Sequence, residues 1–239
     1  MSVDPQKRWF IHYFENGSRS YSDISGGRIA QEAADLKDPQ GKPFFDHILT
    51  YQQKDLGLEF LAHHKDHFRC KRGAGYYLWK SRITQLTLAQ MKEGDLMMYA
   101  DTGCQIRGSL EPLFDLLKNQ DIVPFHLEEI HLEQKWTKHD LFLALNAHRF
   151  RETPIYVGGY YLIRKTPQTV NIIDLYVQIS GQLHLIDDSP SLTPNFPSFV
   201  EHRHDQSIWS LILKSHNIKA YPDPGWPLHQ STTIAATRF

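Results

Sequence analysis

The sequence predicts an α/β fold: a single domain, residues 1–239, with a mostly parallel central sheet covered by helices on both faces. Three observations predict it. Short apolar runs rich in aromatic and β-branched residues alternate with amphipathic segments of helical period. A chain of 239 residues is long enough for one large domain of this class. No repeat, linker or shift in composition divides it.

Taken in order, Arg8 to Phe14 and Phe44 to Tyr51 read as strands, being short and rich in aromatic and β-branched residues. In Tyr76 to Met91, Trp79, Ile83 and Leu86 recur at i, i+4 and i+7, the spacing of one helix face. Gly94 then opens a strand that runs to Asp101. Ser109 is placed to cap a short helix carrying Leu113, Leu116 and Leu117, and Asp121 to Phe125 is a further strand. Thr137 and Asp140 resemble a capping pair for a helix through Leu145. Pro154 to Lys165 reads as a strand pair or one bent strand, interrupted by Gly158 and Gly159. Thr166 followed by Pro167 starts a helix that ends at Gly181, with Val170, Ile173 and Val177 on one stripe. Pro190, Pro194 and Pro197 make 187–199 a loop. His204 to Ile218 is the last helix, with Ile208, Leu211 and Ile212 facing inward.

Composition narrows the function less than the fold. With 26 basic and 27 acidic residues the net charge is −1, too little to hold a nucleic-acid backbone or an anionic bilayer by its overall field. Cys70 and Cys104 are the two cysteines, which reads as free thiols rather than a disulfide framework. Met1 to Arg8 is polar and lacks the apolar core of a secretory signal, and no window approaches the apolar length needed to cross a bilayer. A cytoplasmic location is therefore expected, peripheral contact with a membrane remaining open.

Four clusters carry candidate chemistry. Tyr99-Ala-Asp101-Thr-Gly103-Cys104 puts a carboxylate at the carboxyl end of an apolar strand, where it serves either as a turn former or as a ligand for Mg2+ or Mn2+ on a diphosphate. In Arg72-Gly-Ala-Gly-Tyr-Tyr-Leu-Trp79-Lys80, glycines ahead of a helix let backbone approach an anion, with Arg72 and Lys80 as phosphate contacts. His202-Arg-His204-Asp205-Gln206-Ser207 opens the last helix, Asp205 being either a cap or a working carboxylate. His63-His64-Lys-Asp-His67 has zinc-like spacing without the glutamate of a metalloprotease helix.

The order of these pieces resembles nucleotide-sugar glycosyltransferases of the GT-A fold found in bacteria and large viruses, distantly similar to glycosyltransferase families 8 and 32. The shared pieces are Gly-Tyr-Tyr-Leu-Trp-Lys, Tyr-x-Asp-x-Gly-Cys, Trp136-Thr-Lys-x-Asp140, a Gly-Gly strand, Asp-Asp-x-Pro-Ser and His-Arg-His-Asp-Gln-Ser. The resemblance runs from about Arg28 to Ile218. The resemblance implies a hexosyltransferase that takes a sugar from a nucleoside-diphosphate donor, a UDP-hexose first, to a hydroxyl of a glycan, lipid or protein. It places Asp101 at the first acid of the family's DxD motif and Gly103 where the second stands. It implies Mn2+ or Mg2+ as cofactor, with His229 as a further metal ligand. The donor would be bound by His12, Tyr13 and Phe14 (a ring stacking on the base), Arg72, Trp79, Lys80, Tyr99, Asp101, Gly103, Gly158 and Gly159. Asp205 and Gln206 would lie beside the reacting sugar. Two other readings stand beside it: a non-catalytic sugar-binding module, and a metallohydrolase built on His63, His64, His67, His202 and His204.

Overall fold

The computed structural model describes residues 5–14, 22–230 and 232–236. The chain folds as strand β1 (Arg8–Tyr13), helix α1 (Ser22–Asp35), β2 (His47–Tyr51), α2 (Leu78–Gln90), β3 (Leu96–Ala100), β4 (Cys104–Ile106), β5 (Ile122–Val123), β6 (Phe125–His126), β7 (Tyr160–Arg164), α3 (Pro167–Ser180), α4 (Asp205–Ser215), β8 (Tyr221–Pro222) and β9 (Ile234–Ala236), with short helical turns between.

The central sheet has the order β2-β1-β3-β7-β5. β1 lies parallel to both β2 and β3, while β7 runs antiparallel to β3 and to β5. Four of the five strands therefore point one way. Successive residues of the sheet enter opposite cores, the period-2 rule of a strand buried on both faces. Trp9, Ile11, Met97, Tyr99 and Tyr161 join one core with residues of α2, α3 and α4. Phe10, Met98, Ala100, Tyr160 and Leu162 join the other with Ile29 and Ala33 of α1 and with Phe114. Helices thus cover both faces, as expected.

Local signals placed several boundaries. In α3, Thr166 Oγ1 accepts the Thr169 amide, Pro167 follows it and Gly181 closes the helix. Its inward stripe is rotated from the expected one: Thr169, Ile172, Ile173, Tyr176 and Ile179 are buried, while Val170 and Val177 are half-buried. The Tyr176 ring packs against Trp209 of α4, which sets that rotation. The expected capping pair at Thr137 and Asp140 does not form. Thr137 donates to buried Glu133, and the Asp140 carboxylate accepts the amides of Leu192 and Thr193, anchoring the proline-rich loop to the helix His139–Ala144.

β1 has β2 on one side and β3 on the other, so the chain reverses direction across the sheet at β1. In open α/β sheets ligands bind beyond the carboxyl ends of strands at such a switch. Phe14 and Asp101 follow those ends.

Candidate active site

Asp101 sits where β3 stops. Its amide donates to Gly159 O (2.7 Å) and its carbonyl accepts the Cys104 amide (2.9 Å), so the turn is tied to the start of β7. The side chain stays 40% exposed. Tyr99, buried two residues earlier, reaches the same carboxylate with its hydroxyl.

Behind Asp101 lies Lys80, its side chain only 4% exposed. The ammonium meets Asp101 Oδ1 at 3.3 Å, Asp205 Oδ2 at 2.7 Å and Gly158 O at 2.9 Å. Removing an ammonium from water is costly, and two carboxylates with a carbonyl offset that cost. Their charges raise the Lys80 pKa further above the usual lysine range, so the group stays protonated. Burial pushes Asp205 up to about 6 even though Lys80 acts in the other direction. Two carboxylates against one ammonium leave one negative charge uncompensated, and the outward member is Asp101.

The sequence delivers Lys80 to this place through an unusual turn. Gly73, Ala74, Gly75, Tyr76 and Tyr77 all have positive φ (56°, 49°, 99°, 55° and 65°), one left-handed turn ahead of α2. For non-glycine residues this costs roughly 1–2 kcal/mol each. Three such residues persist because their surroundings hold them. Trp79 Nε1 donates to Gly73 O at 2.8 Å, the Tyr13 ring stacks on Trp79 at 4.0 Å, and Tyr76 stacks on His204 at 5.5 Å. Substituting Gly75 by alanine would set a Cβ 3.0 Å from Phe68 Cδ1 at φ +99°. A loss of about 1–3 kcal/mol is expected from such backbone strain, read as a lowered midpoint in thermal or urea unfolding.

The other motifs build the mount for α4. Lys138 Nζ pairs with Asp187 (2.9 Å) and the His184 carbonyl (2.6 Å). The Lys138 amide donates to His202 Nδ1, so His202 donates from Nε2 to Leu185 O. Arg203 lies over the Trp136 ring, and Ser207 donates to the Trp136 carbonyl. His204, at φ 50°, contacts Asp188 at 3.0 Å, and Arg72 pairs with Asp188 (3.1 Å) and Glu201 (3.7 Å). These contacts fix the start of α4, where Asp205 and Gln206 stand.

Several expected site residues have other work. Arg72 spends its charge on Asp188 and Glu201. Trp79 is a core residue with its indole N–H satisfied. Tyr13 is buried against Trp79, so that face is not offered to a base. His12 is buried within the sheet, Nε2 against Thr50 Oγ1 at 2.7 Å, and burial lowers its pKa to about 4. Phe14 stays half-buried at the strand end. Asp205 does not face the open side: its carboxylate is 6% exposed and committed to Lys80. Gln206 is the outward member of that pair. Its carboxamide donates to Tyr156 O at 2.8 Å, and a Cβ on Gly158 would stand 2.9 Å from Gln206 Cβ, so only glycine lets the strand pass. Gly159 sits beside Asp101, a built Cβ lying 3.7 Å from Oδ2, and Gly103 is exposed. The structure thus brings together Lys80, Tyr99, Asp101, Gly158, Gly159, Asp205 and Gln206.

His229 is exposed, its amide donating to Thr232 Oγ1 at 2.9 Å. Among the described residues no three His, Cys, Asp or Glu side chains converge as a metal cage. The helix Leu58–His63 ends at His63 and His64 breaks it, so His63 and His67 do not share one continuous helix. With His202 and His204 held in the mount of α4, the metallohydrolase reading loses its ligand set. A Mg2+-type site asks for less: one or two carboxylates, with phosphates and water completing the shell. Asp101, outward and carrying the uncompensated charge, fits that demand.

No family model and no curated protein sequence matches the chain. Solved structures do match in fold. Mouse xyloside xylosyltransferase 1, in its apo form, is 10% identical, covers 96% of this chain and 97% of its own, and superposes with a TM-score of 0.54. The apo structure of the bifunctional glycosyltransferase WbbM is 14% identical over 94% of this chain, with a TM-score of 0.53. This chain spans two fifths of WbbM, 40% of its length. Among the described residues no helix is long and apolar enough to cross a membrane. Strand order, the covered sheet faces and these superpositions agree: the chain has the GT-A glycosyltransferase fold.

Proposed function

We propose that the chain is a glycosyltransferase moving a sugar from a nucleoside-diphosphate donor, a UDP-hexose first, to a hydroxyl of a glycan, lipid or protein. The observation that carries the reading is the placement of Asp101. A half-open carboxylate ends β3 at the switch point of a GT-A sheet, with Lys80 behind it and glycine backbone beside it. Asp101 would hold Mn2+ or Mg2+. When bound there, the cation neutralises charge gathering on the departing diphosphate.

The chain's own groups do the rest. Tyr99 and Lys80 fix one edge of the Asp101 carboxylate, leaving its other side toward solvent. Gly158, buried, lets Gln206 of α4 pack directly on the strand, and the half-buried Gly159 presents backbone beside Asp101, where a sugar can approach. Gln206, donating to Tyr156 O, keeps its Oε1 as an acceptor for a sugar hydroxyl. Asp205 acts through Lys80: it holds the ammonium in place and is a positioning residue in this arrangement.

Turnover tests the proposal. Release of nucleoside diphosphate from a panel of nucleotide sugars is expected for at least one donor with Mn2+ present. Asp101→Ala is expected to lower it by about 10²–10³-fold, the usual cost of removing one electrostatic group at developing charge. No release from any donor, or full release from a folded Asp101→Ala, contradicts it.

A further inference from the structure

Beside the Asp101 turn lies a cavity of about 390 Å3 lined by His126, Glu128, His131, Asp223, Gly225 and Trp226, among others. It is within the range of about 300–1,000 Å3 common for small-molecule sites. Trp226 is 58% exposed, an indole left to solvent at the mouth of a pocket. Asp223 is held from below: its carboxylate accepts the Tyr160 hydroxyl and the Gly225 amide (2.8 Å). Burial raises its pKa. His126 donates from Nδ1 to Leu127 O at 2.8 Å, which leaves Nε2 as an acceptor.

The cavity hangs on the same strands as Asp101. Tyr160 directly follows Gly159, whose carbonyl takes the Asp101 amide. Ala236, another wall residue, is the register partner of Cys104, whose amide donates to the Asp101 carbonyl. Gly225 forms the floor: a Cβ there would stand 2.8 Å from Tyr160 Oη.

A flat aromatic face with carboxylates and imidazoles around it matches the chemistry of a pyranose, whose C–H faces stack on indole and whose hydroxyls need paired acceptors and donors. We infer that the Trp226 cavity is a saccharide subsite, taking the pyranose ring of the acceptor. The acceptor role rests on the transferase reading; binding of a sugar does not.

The test is saturation-transfer NMR of the full chain with a panel of methyl glycopyranosides, alongside calorimetry with a nucleoside diphosphate and Mn2+. At least one glycoside is expected to bind. Trp226→Ala should weaken it about tenfold or more, as expected for loss of an aromatic platform. The same variant should leave the nucleoside-diphosphate affinity unchanged. Trp226→Phe, which keeps a flat face, should retain most of the glycoside binding. No glycoside binding to the wild type, or equal binding by Trp226→Ala, overturns the inference. So does loss of the nucleoside diphosphate in its place, because the indole would then be a base platform. Failure of the transferase reading shows separately, as absence of nucleoside-diphosphate binding to the wild type while glycosides still bind.

Discussion

Lys80→Met is expected to lose about 3–5 kcal/mol of stability, the cost of stripping a buried charge of its partner, and to abolish turnover. The loss should grow with pH. Asp205 in the folded chain already holds its proton up to about 6, above the ordinary carboxylate value. Without the ammonium that hold strengthens. Over the window above the unfolded carboxylate pKa, the folded state then binds more protons than the unfolded one, so stability falls as pH rises. Urea unfolding at pH 5 and pH 8 checks the sign. The double variant Lys80→Met/Asp205→Asn removes both charges and should recover most of the stability but none of the activity. If Lys80→Met unfolds like wild type at both pH values, the buried triad is not what the structure describes.

A second large effect lies in a buried pair outside that triad. Lys214 in α4 meets Glu133 Oε1 at 2.7 Å, Thr153 Oγ1 at 2.7 Å and Pro154 O at 2.7 Å. Glu133 also accepts Thr137 Oγ1 at 3.0 Å and the Ser210 hydroxyl. Burial raises the Glu133 pKa and lowers that of Lys214, so each ion depends on the other to stay charged. Lys214→Met should lose about 3–5 kcal/mol. In a chain of this size each kcal/mol is worth roughly 2–4 °C of midpoint. Glu133→Gln/Lys214→Met keeps the two hydroxyl contacts and should return much of the loss. A thermal melt of Lys214→Met within 2 °C of wild type would contradict this, by the same conversion of about 2–4 °C per kcal/mol.

Much of the frame was legible because its signals are local. Thr166, Pro167 and Gly181 bound α3 by capping chemistry, and the apolar run before Asp101 marks a strand buried on both faces. α1 was not read, since Gly26 and Gly27 interrupt its period and its anchors include polar ones, Arg28 donating to Thr102 O and Cys104 O and Glu32 accepting the Ile106 amide, beside Ile29 and Ala33. The reversal of β7 depends on pairing between residues far apart in sequence, which periodicity does not encode. Asp101 was found as a strand-end carboxylate, but Lys80 was read as a phosphate contact, whereas its side chain is 4% exposed and its ammonium is committed to carboxylates. That Lys80 is buried between Asp101 and Asp205, 21 and 125 residues onward, is tertiary information. The conspicuous aromatics misled for the opposite reason: Tyr13 and Trp79 look like ligand platforms in sequence but satisfy each other in the core. The motifs around Trp136, Asp187 and His202 proved to be a mount for α4 rather than contacts to a substrate.

The most direct measurement is calorimetric titration of nucleoside diphosphates into the wild-type chain and a folded Asp101→Asn variant, with and without Mn2+. The account predicts cation-dependent binding of at least one nucleotide to the wild type, lost in Asp101→Asn while the unfolding midpoint is held. Equal affinity in the variant, or no binding of any nucleotide to the wild type, contradicts it.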